Sequence, residues 1–242
     1  MKKEMMIQVS DCKLYAQLLG ENKGKPTIVM DAGYGDFSTV WDSVIIELSM
    51  LSNVFVYDRA GLGKSESSSR SRTSYEMVNE LKELLTEAKI EAPYILVGHS
   101  FGGVNVRLFA TEYPNDVCGI LLIDSTPEEY REKFLPTMPK EFQLAYNKQF
   151  VIEGTYDEFM ESLKQLQDSK RKLHVPLIVL SAGKKAHYSK ESQLLWNKMQ
   201  KEISDLSTNS QFIIAKKSAH YIQDDEPEVV VSAVKSLIDS VV

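Results

Sequence analysis

Short apolar runs recur along this chain, each rich in Val, Ile and Leu and lacking polar alternation: "PTIVM", "NVFVY", "YILVGHS", "VCGILLI" and "VPLIVL". A strand with one wet face alternates apolar and polar residues, so unbroken runs predict strands covered on both faces, as in parallel sheets. Helical patterns separate them. "WDSVIIELSML" has helical spacing, "SYEMVNELKELLTEAKI" is amphipathic with Thr73 or Ser74 as its cap, and "FGGVNVRLFATEY" is stopped by Pro114. "ESQLLWNKMQKEISDL" and "PEVVVSAVKSLIDSVV" follow, the second opened by Pro227 near its first turn. Strand and helix in alternation predict an α/β fold with a mostly parallel sheet. Residues 6–19 alternate around "CKLYAQLL" and predict a hairpin or meander, an edge pair feeding an inner strand.

From residue 127 to 172 the pattern turns polar, charged and aromatic with scattered proline, too long for a simple connection. The predicted organisation is therefore a core of residues 1–126 and 173–242, interrupted by a small helical cap insertion at 127–172. A chain of 242 residues is long enough to bury such a core as one domain. The formal charge of −6 provides no basic field for a phosphate backbone, which argues against nucleic acid as a partner. The start, "MKKEMMIQVSDCKLYAQLL", has no apolar segment of signal-peptide length, and no window resembles a membrane span. A cytoplasmic protein without membrane association is expected. Cys12 and Cys118 sit in strand-like surroundings and read as two buried, reduced thiols.

The chemistry is concentrated in "LVGHSFGGVNVRLF", where Ser100 stands between Gly98 and Gly102 at the junction of a strand and a helix. A G-x-S-x-G turn between strand and helix forces its central residue into a strained backbone that projects the side chain. The flanking glycines let neighbouring backbone approach. A serine hydroxyl needs a base, and imidazole has the suitable proton affinity. Of the four histidines, His99 adjoins the serine and is expected to point away from it, His174 precedes a strand, and His187 lies in "GKKAHYSK". His220, in "AKKSAHYIQDDEP", follows the last predicted strand and is placed at the same carboxyl edge of the sheet as Ser100.

These pieces together resemble the α/β-hydrolase superfamily: "MDAGYG" after the third strand, "YDRAGLGKS" after the fourth, "GHSFGG" at the elbow, "LLIDSTP" after the sixth and "SAHYIQDDEPEVVVSAV" at the end. The resemblance covers most of the chain except the insertion. It implies a mostly parallel sheet of about eight strands flanked by helices, with Ser100 as nucleophile and His220 as base. The backbone N–H groups of Tyr34 and Phe101 would form the oxyanion hole. Most of the superfamily carries an Asp after the seventh strand, but here that strand runs into "SAGKKAHY". Asp124, directly after the sixth strand, occupies an alternative acid position; Glu128, Glu129 and the acids of "QDDEP" compete for the role. The acid would fix the His220 tautomer and stabilise its charged form. Asp58, Gly61 and Gly63 resemble a structural turn of the fold.

The aromatic residues of the insertion, Tyr130, Phe134, Phe142, Tyr146, Phe150, Tyr156 and Phe159, either wall the substrate pocket or form the core of the cap. The expected activity is hydrolysis of a small-molecule carboxylic ester through an acyl-enzyme, with no metal or organic cofactor. The same constellation also serves amide, thioester and C–C bond cleavage and lyase chemistry, and the same fold serves as a ligand-binding or signalling protein with little turnover. Dehalogenases and epoxide hydrolases of the superfamily use a carboxylate nucleophile, which Ser100 argues against.

Overall fold

The computed structural model describes residues 2–21 and 24–241. Strands β1 (Lys2–Val9) and β2 (Cys12–Leu19) form the expected hairpin, beginning four residues earlier than the alternation suggests. β2 pairs antiparallel with β4 (Val54–Tyr57). From β4 onward the sheet is parallel, taking in β3 (Thr27–Asp31), β5 (Tyr94–His99), β6 (Val117–Ile123), β7 (Leu177–Ala182) and β8 (Ser210–Ala215). The spatial order of the eight strands is β1-β2-β4-β3-β5-β6-β7-β8.

Eight helices connect or cover the strands among the described residues: α1 (Ile45–Leu51), α2 (Ser74–Glu87), α3 (Gly102–Glu112), α4 (Lys140–Asn147), α5 (Tyr156–Asp168), α6 (Lys190–Ile203), α7 (Ile222–Asp225) and α8 (Pro227–Val241). The period of two along each strand divides its side chains between two cores. Leu96, Ile120 and Leu122 pack with residues of α2, α3 and α5, whereas Ile95, Val97, Leu121 and Ile123 pack with residues of α1 and α8. Val230, Val234, Leu237 and Ile238 form the buried stripe of α8 at helical spacing. Each such side chain contributes about 2 kcal/mol by leaving water.

Two local expectations need correction. Thr73 takes the cap position of α2 with extended backbone, yet its side chain makes no capping bond. The Ser74 N–H instead donates to Ser162 Oγ of α5 at 2.8 Å, so another helix satisfies the exposed donor. Cys12 is buried and both thiols are free, but Cys118 is only half-buried, its Sγ donating to Tyr94 O at 3.3 Å.

Register places the functional edge. Asp31 pairs with Gly98, Gly98 with Leu122, and Leu122 with Val179. The residues just past β3, β5, β6 and β7 therefore emerge side by side at the carboxyl edge, the usual ligand side of an open α/β sheet. Residues 127–172 leave the sheet between β6 and β7 as a π turn (Tyr130–Phe134), a 3-10 turn (Leu135–Thr137), α4 and α5.

Candidate active site

Ser100 follows β5 at φ 51°, and Asp124 follows β6 at φ 44°. Left-handed backbone disfavours a residue with a Cβ by about 1–3 kcal/mol, and such strain gathers at functional sites. Hydrogen bonds hold the two turns together: the Ser100 N–H donates to Ile123 O at 3.0 Å, Thr126 N–H to Ser100 O at 3.0 Å, and Asp124 N–H to Leu180 O at 2.8 Å. Gly102 opens α3 against the end of β3, where a Cβ would collide with Asp31 O and Ala32 O. That close approach brings the start of α3 against the loop carrying Tyr34.

The Asp124 carboxylate is fully buried and receives four donors. Oδ1 accepts from Ala182 N at 3.0 Å and Trp196 Nε1 at 2.6 Å. Oδ2 lies 2.6 Å from His220 Nδ1 and 2.5 Å from Lys185 Nζ. Burial works to raise the Asp124 pKa, but the Lys185 ammonium and the His220 contact outweigh it and hold the carboxyl well below the usual range. Lys185 is itself pulled below the ordinary lysine range by burial, only partly offset by Asp124. Its ammonium lies 3.6 Å from the centre of the Trp196 ring, a cation–π contact that shares its charge with the aromatic wall.

The other acids weighed for this position are engaged elsewhere. Glu128 pairs with Arg107 at 3.0 Å and Glu129 pairs with Lys133. Asp224 accepts from Ser43 Oγ, Asp225 from Ala219 N, and Glu226 from Ser218 Oγ and Lys217 N.

Ser100 and His220 line one cavity of about 450 Å³, a volume suited to a small molecule. Among the described residues no hydrogen bond joins Ser100 Oγ to His220, and such contacts often close only when substrate binds. Phe101 is buried, and Tyr34 lines the cavity with its phenol bonded to Gly154, donating to the carbonyl at 2.7 Å and accepting the N–H at 2.9 Å.

The insertion aromatics divide between the two expected uses. Tyr130, Phe142, Tyr146 and Phe159 face the cavity. Phe134 and Phe150 are buried packing residues. Tyr156 does neither: it is exposed, with the Arg131 guanidinium 4.5 Å from its ring centre.

His99 is fully buried, and its ring lies against that of His220, with the centroids 4.7 Å apart. Its Nε2 bonds to His220 O at 3.1 Å. Burial, followed by the nearby His220, pulls its pKa down to about 3, so the ring is neutral. Neutral imidazole carries one N–H, and donation to a carbonyl assigns that proton to Nε2. His99 thus supports the loop that carries His220. His187 is exposed at the cavity mouth, and His174 is exposed elsewhere. Among the described residues no group of three or more His, Cys, Asp or Glu side chains is placed to hold a metal ion, and no helix is long and apolar enough to cross a membrane.

Lys185 and Trp196 are the site residues that sequence reasoning overlooks. Lys185 had a signal, since it stands after β7 where an acid is commonest. Trp196 had only the requirement that a buried indole N–H find an acceptor.

Residues 26–182 match the family model of the alpha/beta hydrolase fold. The chain belongs to the alpha/beta hydrolase family. A Bacillus subtilis (strain 168) member, the uncharacterised protein YqjL, is 34% identical over 231 residues, which cover 94% of this chain and 88% of that one. Among solved alpha/beta hydrolase structures, the Bacillus subtilis carboxylesterase CesB (YbfK) superposes with TM-score 0.71 at 17% identity, covering 100% of this chain and 93% of that one. The thermophilic esterase from Thermogutta terrifontis superposes with TM-score 0.67 at 18% identity, covering 99% of each. At these identities the superpositions establish a shared fold, and they place this alpha/beta hydrolase beside esterase structures.

Proposed function

We propose that this hydrolase cleaves a small-molecule carboxylic ester through an acyl-enzyme, with Ser100 as nucleophile, His220 as base and Asp124 as acid. The observation that carries this reading is the 2.6 Å contact between His220 Nδ1 and the buried Asp124, behind a cavity that His220 and Ser100 both line. A carboxylate on Nδ1 holds the N–H there and leaves Nε2 free to accept a proton. Ser100 Oγ bonds to the ester carbonyl carbon while its proton passes to His220 Nε2. The oxyanion takes hydrogen bonds from the Tyr34 and Phe101 N–H groups, near the start of α3. Collapse breaks the C–O bond to the alcohol, which leaves with the proton from His220. Water then attacks the acyl carbon, giving its proton to His220 and releasing the acid and the serine.

Residues 127–172 act in this reading as a cap that supplies the aromatic wall of the acyl or alcohol pocket. A serine at the elbow has no carboxylate oxygen to form the ester intermediate of dehalogenases and epoxide hydrolases, so those chemistries are set aside. The test is labelling with a fluorophosphonate beside turnover of p-nitrophenyl esters of graded chain length. We expect one label per chain, on Ser100, abolished in Ser100→Ala together with turnover. Absence of both in the wild-type protein defeats the proposal. Thermal stabilisation by esters without turnover would identify a hydrolase-like binding protein instead.

A further inference from the structure

The strongest feature outside the proposed triad is a buried ion cluster beneath the loop after β3. Arg59 follows β4, and its side chain is 2% exposed. Its Nη1 donates to Ala32 O at 2.7 Å and pairs with Asp31; its Nη2 donates to Gly33 O at 2.6 Å. The other edge of the guanidinium grips Glu153 in bidentate fashion, Nη2 to Oε2 at 2.8 Å and Nε to Oε1. Glu153 belongs to the insertion, yet its carboxylate has no exposure. Its Oε2 also accepts the Gly35 N–H at 3.0 Å, while the next residue, Gly154, exchanges both hydrogen bonds with the Tyr34 phenol.

Residues 32–35 are thus held from below by Arg59 and from the insertion by Glu153 and Gly154. The consequence lies in one peptide plane. In a trans peptide the C=O and N–H point in opposite directions. The Gly33 oxygen, gripped by Arg59, therefore turns the Tyr34 N–H away from the guanidinium. Glu153 fixes the guanidinium that grips it.

We infer that Glu153 is a positioning residue: through Arg59 and Gly35 it aims the Tyr34 N–H, so that seating of the insertion and assembly of the oxyanion hole are one event. The inference rests on the oxyanion role proposed for that amide. Lifting residues 153–154 would leave Arg59 paired with Asp31 and the loop without its second anchor. Insertion and core are coupled here through a fully buried charge pair, which resists separation far more than a surface pair does.

The variants are Glu153→Gln, which keeps the shape and removes the charge, and Tyr34→Phe, which removes only the two bonds to Gly154. The readouts are kcat and KM on a p-nitrophenyl ester, and hydrogen exchange of the peptide covering residues 32–36. For Glu153→Gln we expect kcat to fall about 10- to 100-fold, as for a displaced oxyanion donor, with KM within about threefold of wild type. Exchange in residues 32–36 should quicken while the strands keep their protection. Tyr34→Phe should quicken the same peptide and lower kcat less. Unchanged exchange in both variants overturns the clasp. A wild-type kcat in Glu153→Gln, or a loss confined to KM, overturns the positioning role. Exchange needs no turnover, so failure of the esterase reading, seen as an inert wild-type protein, is distinguished from failure of the clasp.

Discussion

Substituting Asp124 by Asn separates two roles of one carboxylate, its ion pair with Lys185 and the acid role proposed for it. Oδ1 accepts two neutral donors, Ala182 N and Trp196 Nε1, while Oδ2 faces Lys185 Nζ and His220 Nδ1. An Asn amide keeps its oxygen on the first side and turns its NH2 toward the second, where donor then meets donor. His220 must present a bare Nδ1 to that NH2 and move its proton to Nε2, the atom that has to accept the Ser100 proton. A wrong tautomer of this kind lowers kcat by about 10⁴ in a serine protease, and we expect a loss of about 10³–10⁴ here. The same change leaves the ammonium of Lys185, 9% exposed, without its counter-ion. Breaking one side of a buried pair costs about 3–5 kcal/mol, and because Lys185 is 9% exposed we take the lower end, about 3 kcal/mol. Lys185→Met leaves Asp124 with three donors and should cost about 1 kcal/mol, and adding Asp124→Asn to it should cost about 1 kcal/mol more. Urea unfolding of the four proteins at pH 7 should give a coupling of about 2 kcal/mol. Turnover should survive in Lys185→Met and be lost in both proteins that carry Asp124→Asn. Coupling below about 0.5 kcal/mol refutes the ion pair, and folded Asp124→Asn within about tenfold of wild-type turnover refutes the acid assignment.

Stability should fall with acid in two stages. His99 has its folded pKa lowered to about 3, against about 6.5 when unfolded. Its contribution is therefore whole above about pH 6.5 and is lost as pH falls toward 3. His99→Gln, which keeps a donor for His220 O, should flatten the unfolding free energy between about pH 6.5 and 4; an unchanged slope there refutes a buried neutral His99. Asp124 and Glu158 also have lowered pKa values, Glu158 about 2 with burial opposed by bonds from Thr155 and Arg72, so the steeper loss should begin below about pH 4. Gly102→Ala drives a methyl into Asp31 O and Ala32 O and should destabilise by about 1–3 kcal/mol, with turnover falling as the Tyr34 loop shifts; wild-type stability in urea would contradict the tight approach.

The parts of the site legible in the sequence are those whose chemistry coincides with a local backbone event. Ser100 and Asp124 each stand one residue beyond a buried strand, and both adopt left-handed backbone there. His220 is legible by elimination among four histidines and by its place after the last strand. The first turn of α2 escapes such a reading because its donor is satisfied by Ser162, 88 residues away, and local propensity carries no trace of such a partner. Glu153 illustrates the same barrier more sharply. One acid in "FVIEGTY" reads as a loop residue, and only the packed chain brings it to Arg59, 94 positions earlier. The α5 start beside it carries a local signal, since Thr155 and Glu158 form a reciprocal capping box. The cap fixes where the helix begins, but not what the preceding carboxylate meets.

Lys185 owes its place to the same long-range bookkeeping of charge. The commonest acid position of the family, after β7, is followed here by a buried cation, while the buried carboxylate stands after β6 instead. The two are not independent: Asp124 leaves a buried negative charge facing the β7 loop, and Lys185 at 2.5 Å neutralises it. A carboxylate shared between an ammonium and an imidazole gives the imidazole only part of its field, while the Trp196 and Ala182 donors fix its plane. Orientation of His220 thus depends on a rigid, four-donor acid rather than on an isolated charge. Lys185→Met should accordingly disturb stability more than geometry, so turnover of Asp124→Asn tests the acid as an orienting group while the double-substitution cycle measures the pairing.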